Sequence, residues 1–301
     1  MKSLKFFVSA SMVLLAACSG MTSTPAPDRV VANSSHLPVT ASSPGPCTVL
    51  KGCPSVSKIY VTDQGDNTLR TYTGTGAPST PTITGLNHPW GVAVDATGKI
   101  YIANFYGSTL TTYTQTGAPT TPTITGLYLP TGVAVDKNGK IYIVNTSIDT
   151  ITTYTSSGAP TTPTITLPPS SFGEGIAVDS NGKIYVALAV SGKVLTYTAA
   201  GVQTTPTLSS LASPQGVAVD AGGKIYVATG GDGAVHTFTA AGTPTTPTIT
   251  GLLGAYLLAL DPFGRIYVVD QNAVHTFSGN GTPTTPTISD PNGPVGVAIT
   301  P

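Results

Sequence analysis

At 301 residues the chain is longer than an average domain, yet sheet-rich barrels and radially repeated folds of this length are often one unit. Charged residues make up only 9%, with 13 Lys and Arg balanced by 13 Asp and Glu, which excludes the clustered cations that a nucleic-acid ligand or a polybasic membrane patch requires. Gly (34) and Pro (26) approach a disordered composition unless they recur at a fixed period.

Lys2 and Lys5 precede an apolar run of 12 residues, Phe6 to Ala17, too short to cross a hydrocarbon core of about 30 Å as a helix. It reads as a secretory signal. The run ends Leu15-Ala16-Ala17-Cys18, which resembles the bacterial lipoprotein signal; an ordinary signal peptide cut nearby is the alternative. The resemblance implies that residues 1–17 are removed and that Cys18 carries the lipid, with palmitate-type chains. It also implies, from Ser19 in the next position, sorting to the outer membrane of the cell envelope, on its periplasmic or surface side. Several acyl chains anchor firmly, because each buried CH₂ contributes about 0.8 kcal/mol.

With Cys18 lipidated, Cys47 and Cys53 remain. They are an even pair in an oxidising compartment and read as a disulfide staple of roughly 2 kcal/mol. A metal site there would lack two further ligands. Residues 18–46, the lipidated cysteine and a stretch rich in Ser, Thr, Pro and Ala, have no apolar period and are expected to be a disordered tether. Residues 47–301 are then the folded domain, expected to be a monomer.

From Lys58 onward the chain repeats. Lys58-Ile-Tyr-Val returns at Lys99, Lys140, Lys183, Lys224 and Arg265, at steps of 41, 41, 43, 41 and 41 residues. Gly91-Val-Ala-Val-Asp95 recurs from Gly132, Gly175, Gly216, Leu257 and Gly296. A period near 40 with four short β-like runs marks a propeller blade, and no helical periodicity supports a solenoid. In one unit the predicted strands are 91–95, 99–103, 110–114 and 121–125. The fourth carries proline in every copy (Pro81, Pro122, Pro163, Pro206, Pro247, Pro286). Proline cannot donate to a ladder, so this strand belongs at the outer edge.

The first element, from Lys58, is of the second-strand type, and the last, Gly296 to Thr300, is an inner strand with nothing after it. The turn-forming Asp of positions 95, 136, 179, 220 and 261 is Thr300 in that last copy. The expectation is an all-β, six-bladed β-propeller closed by the C-terminal strand completing the first blade.

Pro89-Trp90-Gly91-Val-Ala-Val-Asp95, then Gly98-Lys-Ile-Tyr-Ile-Ala-Asn104 and Leu110 to Tyr113, resemble the NHL repeats of six-bladed propellers, over roughly residues 55 to 301. The resemblance implies that fold, and a range of functions that includes interaction modules, lactonases and lyases.

Turns of the Asp-x-x-Gly type and short Gly turns repeat on one face of the ring, whereas the loops before the inner strand and after the second strand differ between blades. The varied face is therefore the expected binding surface. His88, Trp90, Tyr128, Glu174, Gln215 and Tyr256 are its candidate ligand-binding residues. Glu174, the only glutamate, stands beside the axis where other blades have residues such as Trp90, Pro130 or Gln215. Asp63, Asn104, Asn145 and Asp270 end second strands of adjoining blades, and with Glu174 they could offer oxygen donors to Ca²⁺. Each could equally cap its own turn.

Lactonase-like propellers imply such a metal held by Glu, Asn and Asp, and lyases of similar fold imply histidine plus an acid, for which His88 and Glu174 are the candidates. No Gly-x-Ser-x-Gly elbow or phosphate loop is present. The leading expectation is a membrane-tethered, non-enzymatic module that binds a protein, a glycan or a small ligand. The alternatives are a divalent-cation-dependent lactonase-like hydrolase or streptogramin-type lyase, and a purely structural surface protein.

Overall fold

The computed structural model describes residues 58–290 and 292–300. The expected signal segment, the lipidated Cys18, the tether and the Cys47–Cys53 pair lie outside them. The described chain forms six four-stranded antiparallel sheets, the blades of a propeller. Blade 2 shows the pattern, with an inner strand Pro89–Val94, then Ile100–Asn104, Thr109–Tyr113 and an outer strand Pro119–Ile124. Blades 3, 4, 5 and 6 follow with inner strands Pro130–Val135, Gly173–Val178, Pro214–Val219 and Leu258–Leu260.

Blade 1 is assembled from both ends of the domain, as the repeat phase predicts. Its inner strand is Pro294–Ile299, paired to Lys58–Asp63 with Ile59 opposite Ile299 and Val61 opposite Val297. Thr68–Thr73 and Pro78–Ile83 complete it. Six apolar clusters fill the gaps between successive blades. In one, Tyr60, Leu69 and Ala298 of blade 1 meet Val92, Ile100 and Ile102 of blade 2. The alternation of apolar residues along each strand thus buries both faces of every blade.

Proline stands where the pairing of the outer strand shifts register, and its carbonyl is taken by a side chain of the neighbouring strand. In all six blades a third-strand threonine donates its hydroxyl to the proline carbonyl, as Thr71 does to Pro81 (2.5 Å), Thr112 to Pro122 (2.9 Å) and Thr237 to Pro247 (2.6 Å). The repeated turn is held by its aspartate. Asp95 Oδ1 accepts the Thr97 and Lys99 N–H groups at 2.9 and 3.0 Å, and its Oδ2 accepts the Tyr101 hydroxyl at 2.9 Å. Lys99 Nζ lies 5.3 Å from the centre of the Tyr101 ring.

At the axis the inner strands approach so closely that only glycine fits. A Cβ on Gly91 would stand 2.3 Å from the Thr131 carbonyl oxygen of the next blade, and one on Gly132 would stand 2.3 Å from that of Glu174. Blade 6 departs from this, with Leu257 at the glycine position and an inner strand of only three residues. The central cavity left between the inner strands is about 50 Å³, room for water but for no organic ligand.

Candidate functional site

The varied face is built from two clasped loops per blade. In blades 2 to 5 the residue before the inner strand (His88, Leu129, Phe172, Ser213) has a positive φ of +48 to +54°. Its carbonyl accepts an N–H from the loop after the second strand, as in Phe105 N to His88 O at 3.0 Å. A left-handed backbone at a non-glycine residue costs about 1–2 kcal/mol, so these four positions are held by the surrounding structure.

Just inward lies a ring of one residue per blade, Trp90, Thr131, Glu174, Gln215, Tyr256 and Val295, each preceding the axial glycine or Leu257. Pairing aligns Pro130 with Asn145 and Gly173 with Leu188, so the blade 3 counterpart of Glu174 is Thr131 and not Pro130. The glutamate carboxyl is crowded by protein. Its Oε2 is buried without a hydrogen-bond partner, and burial pushes its pKa up to about 8.

The other predicted ligand residues divide. His88 and Trp90 join Phe105 and Tyr106 in a cluster of four rings. His88 lies 6.2 Å from Trp90, 5.7 Å from Phe105 and 4.3 Å from Tyr106, and Trp90 is 5.3 Å from Phe105. Burial lowers the His88 pKa, and its Nδ1 has no partner. Blade 3 separates this cluster from Glu174 in blade 4. Tyr128 is 54% exposed. Gln215 instead folds over its own blade, with Nε2 where a Cβ on Gly230 would be 2.8 Å away, and Tyr256 packs against the apolar cluster between blades 6 and 1.

The side chains of the predicted cation arc are engaged by their own loops. Asn104 Oδ1 accepts the Asn87 N–H at 3.3 Å, and Asn145 Oδ1 accepts that of Tyr128 at 3.0 Å. Asp270 takes the N–H groups of Leu253, Asn272 and Ala273 and is bonded to His275. Asp63 is bonded to Gly65 N and to Arg70. Strand-end side chains are thus engaged in clasping the loops, and no group of three or more His, Cys, Asp or Glu among the described residues could hold a metal ion. The residues present do not fit a Ca²⁺ site.

Sequence reasoning missed two features. Phe105-Tyr106 follows the second strand of blade 2 where other blades place Gln64-Gly65, Thr146-Ser147 or Gly230-Gly231, a contrast that marks the aromatic cluster. The third-strand position opposite the middle of the second strand is Arg70, Thr111, Thr152, Leu195, His236 and His275 in blades 1 to 6. Blades 5, 6 and 1, which adjoin, carry a basic side chain there bonded to an aspartate. Blades 2, 3 and 4 carry none, and they present Tyr106, Tyr128, Ile148, Phe172 and Val190 to solvent. The exposed apolar side chains of the varied face are thus concentrated on one half of the ring.

The sequence model of the NHL repeat family matches residues 86–113, the stretch that holds the aromatic loop and three strands of blade 2. No curated protein sequence matches the chain. Among solved structures, a chain of a nidogen/laminin complex is similar at 17% identity and a TM-score of 0.67, over 81% of this chain and 98% of that one. Virginiamycin B lyase from Staphylococcus aureus is similar at 13% identity and 0.62, over 79% and 84%. A protein of unknown function from Bacteroides caccae is similar at 12% and 0.67, over 82% and 99%. At these identities the likeness is one of fold, an all-β six-bladed propeller.

Proposed function

We propose that this propeller is a binding module, tethered to the cell envelope through Cys18, that docks a protein partner on the apolar half of its varied face. One observation carries the reading. Of the eight large apolar side chains exposed among the described residues, six lie on the varied face, and five of those come from the adjoining blades 2, 3 and 4. Contiguous apolar surface on a soluble domain marks an interaction site, and a face spanning three blades suits a macromolecule better than a small ligand. The structural neighbour found in a nidogen/laminin complex is consistent with protein binding by this fold.

Affinity capture from the envelope fraction tests it. Tyr106→Ala combined with Phe172→Ala should lose the partner, while Phe263→Ala, an exposed aromatic on the repeated face, should keep it. Equal retention by both variants overturns the reading. The tether is tested separately by labelling with a palmitate analogue, which Cys18→Ser should abolish.

A second reading is carried by Glu174. A carboxyl that stays protonated at neutral pH can deliver a proton to a leaving group, the role an acid would take in a lactonase-like hydrolase or a streptogramin-type lyase. Turnover of a lactone or cyclic depsipeptide that Glu174→Gln abolishes would support it; turnover unaffected by that change would remove it.

A further inference from the structure

A second concavity lies away from the axis, on the flank of blade 5, between the loop that follows the outer strand of blade 4 and the third and outer strands of blade 5. Its volume is about 280 Å³, close to the lower end of small-molecule pockets at about 300 Å³. Leu211, Phe238 and Pro244 form an apolar wall, and Asp232 and His236 stand in the same lining with Ser209 and Ser210.

The acid–imidazole pair gives this groove its chemistry. His236 Nε2 lies 2.9 Å from Asp232 Oδ2, and the Thr229 hydroxyl donates to Asp232 Oδ1. Burial pushes the Asp232 pKa up, but the hydrogen bonds from Thr229 and His236 outweigh it and hold the carboxyl below its ordinary range. An ionised carboxylate only accepts, so Nε2 carries a hydrogen toward it and Nδ1 faces away from the pair. Among the described residues neither that nitrogen nor the hydroxyls of Ser209 and Ser210 has a partner in the hydrogen-bond network.

The other aspartates bonded to a basic third-strand side chain are less open. In blade 6, Asp270 receives three backbone N–H groups besides His275 and is 3% exposed. In blade 1, Asp66 is taken by Arg70 and Thr68. Asp232 is 41% exposed, with lone pairs remaining on both oxygens.

We propose that the flank of blade 5 is a site for a small organic ammonium ligand, its cationic head on Asp232 beside the His236 ring and its apolar body against Leu211, Phe238 and Pro244. The groove offers acceptors and one negative charge beside an apolar wall, which matches a donor-rich cation with a short hydrocarbon or aryl arm and rejects an anion of the same shape. The site is separate from the apolar half of blades 2 to 4, so either assignment can fail alone.

Titration calorimetry with the full chain tests it, with 2-phenylethylammonium and 3-phenylpropanoate as probes of similar shape and opposite charge. The ammonium is expected to bind at least tenfold tighter than the carboxylate and to move the His236 ring resonances saturably in NMR spectra. Asp232→Asn, which removes the negative charge at nearly constant shape, should weaken the ammonium at least tenfold. Equal affinity for the two probes, or His236 resonances that stay fixed while the ammonium binds, overturns the assignment. Both of those arms use the unaltered protein, so the outcome does not depend on the variant folding.

Discussion

Arg70 Nη1 donates to both carboxylate oxygens of Asp290, at 2.6 and 2.7 Å. The contact ties the third strand of blade 1 to the chain leaving the outer strand of blade 6, so it bridges the first and last blades of the ring. The same guanidinium reaches Asp63 at 2.8 Å and also bonds Asp66. Asp63 and Asp290 are almost fully buried, and one cation serves three acids.

Replacing Arg70 with Leu leaves those carboxylates facing one another without a counter-charge. Removing one partner of a buried pair costs about 3–5 kcal/mol; with Arg70 itself 26% exposed, a loss near the lower bound, about 3 kcal/mol, is expected. Urea unfolding at pH 7 measures it. The deficit should shrink at pH 5, where Asp63, whose pKa is pushed up to about 6 by burial and by the Asp290 charge, is protonated. A deficit independent of pH would mean that the arginine acts through packing alone.

Glu174 sets a second pH dependence. Its folded pKa of about 8 lies above the ordinary 4.5, so between those values the folded state holds a proton that the unfolded state has released. Stability therefore falls as pH rises from about 4.5 to 8 and levels off above. Glu174→Gln, neutral throughout, should match the parent at pH 4 and exceed it at pH 8. Thermal melts at the two pH values decide it, and parallel curves for parent and variant would show that the carboxyl is hydrated.

The closing blade lacks one bond found elsewhere. Tyr60 has its hydroxyl buried without a partner, because Thr300 stands where Asp95 receives Tyr101 and Asp261 receives Tyr267. Tyr101→Phe should cost about 1–2 kcal/mol by taking a donor from a half-buried acid, whereas Tyr60→Phe should be neutral or slightly stabilising. Chemical denaturation of the two variants provides the comparison; equal losses would imply that an ordered water serves Tyr60.

The ring, its blade number and its closure were legible because the Lys-Ile-Tyr period and the fixed proline impose the same pairing six times. The position of Glu174 was legible to within one residue. The repeat itself aligns Thr131-Gly132 with Glu174-Gly175, so Thr131 and not Pro130 holds its place in blade 3. Asp63, Asn104, Asn145 and Asp270 were correctly placed at strand ends, but the direction of their side chains depends on loops with left-handed residues that repetition does not encode. His236 and His275 repeat the third-strand place of Thr111 and Thr152, and only the fold shows that Asp232 and Asp270 meet them.

The tightness of the hub has a consequence for how the molecule can be used. With about 50 Å³ at the axial glycines, the hub itself offers little room for a ligand. Anything recognised must be met at the rim or the flank, on blades whose mutual angles are fixed by the glycine contacts. A guest lodged beside blade 5 and a protein seated over blades 2 to 4 could then be carried together, neither displacing the other.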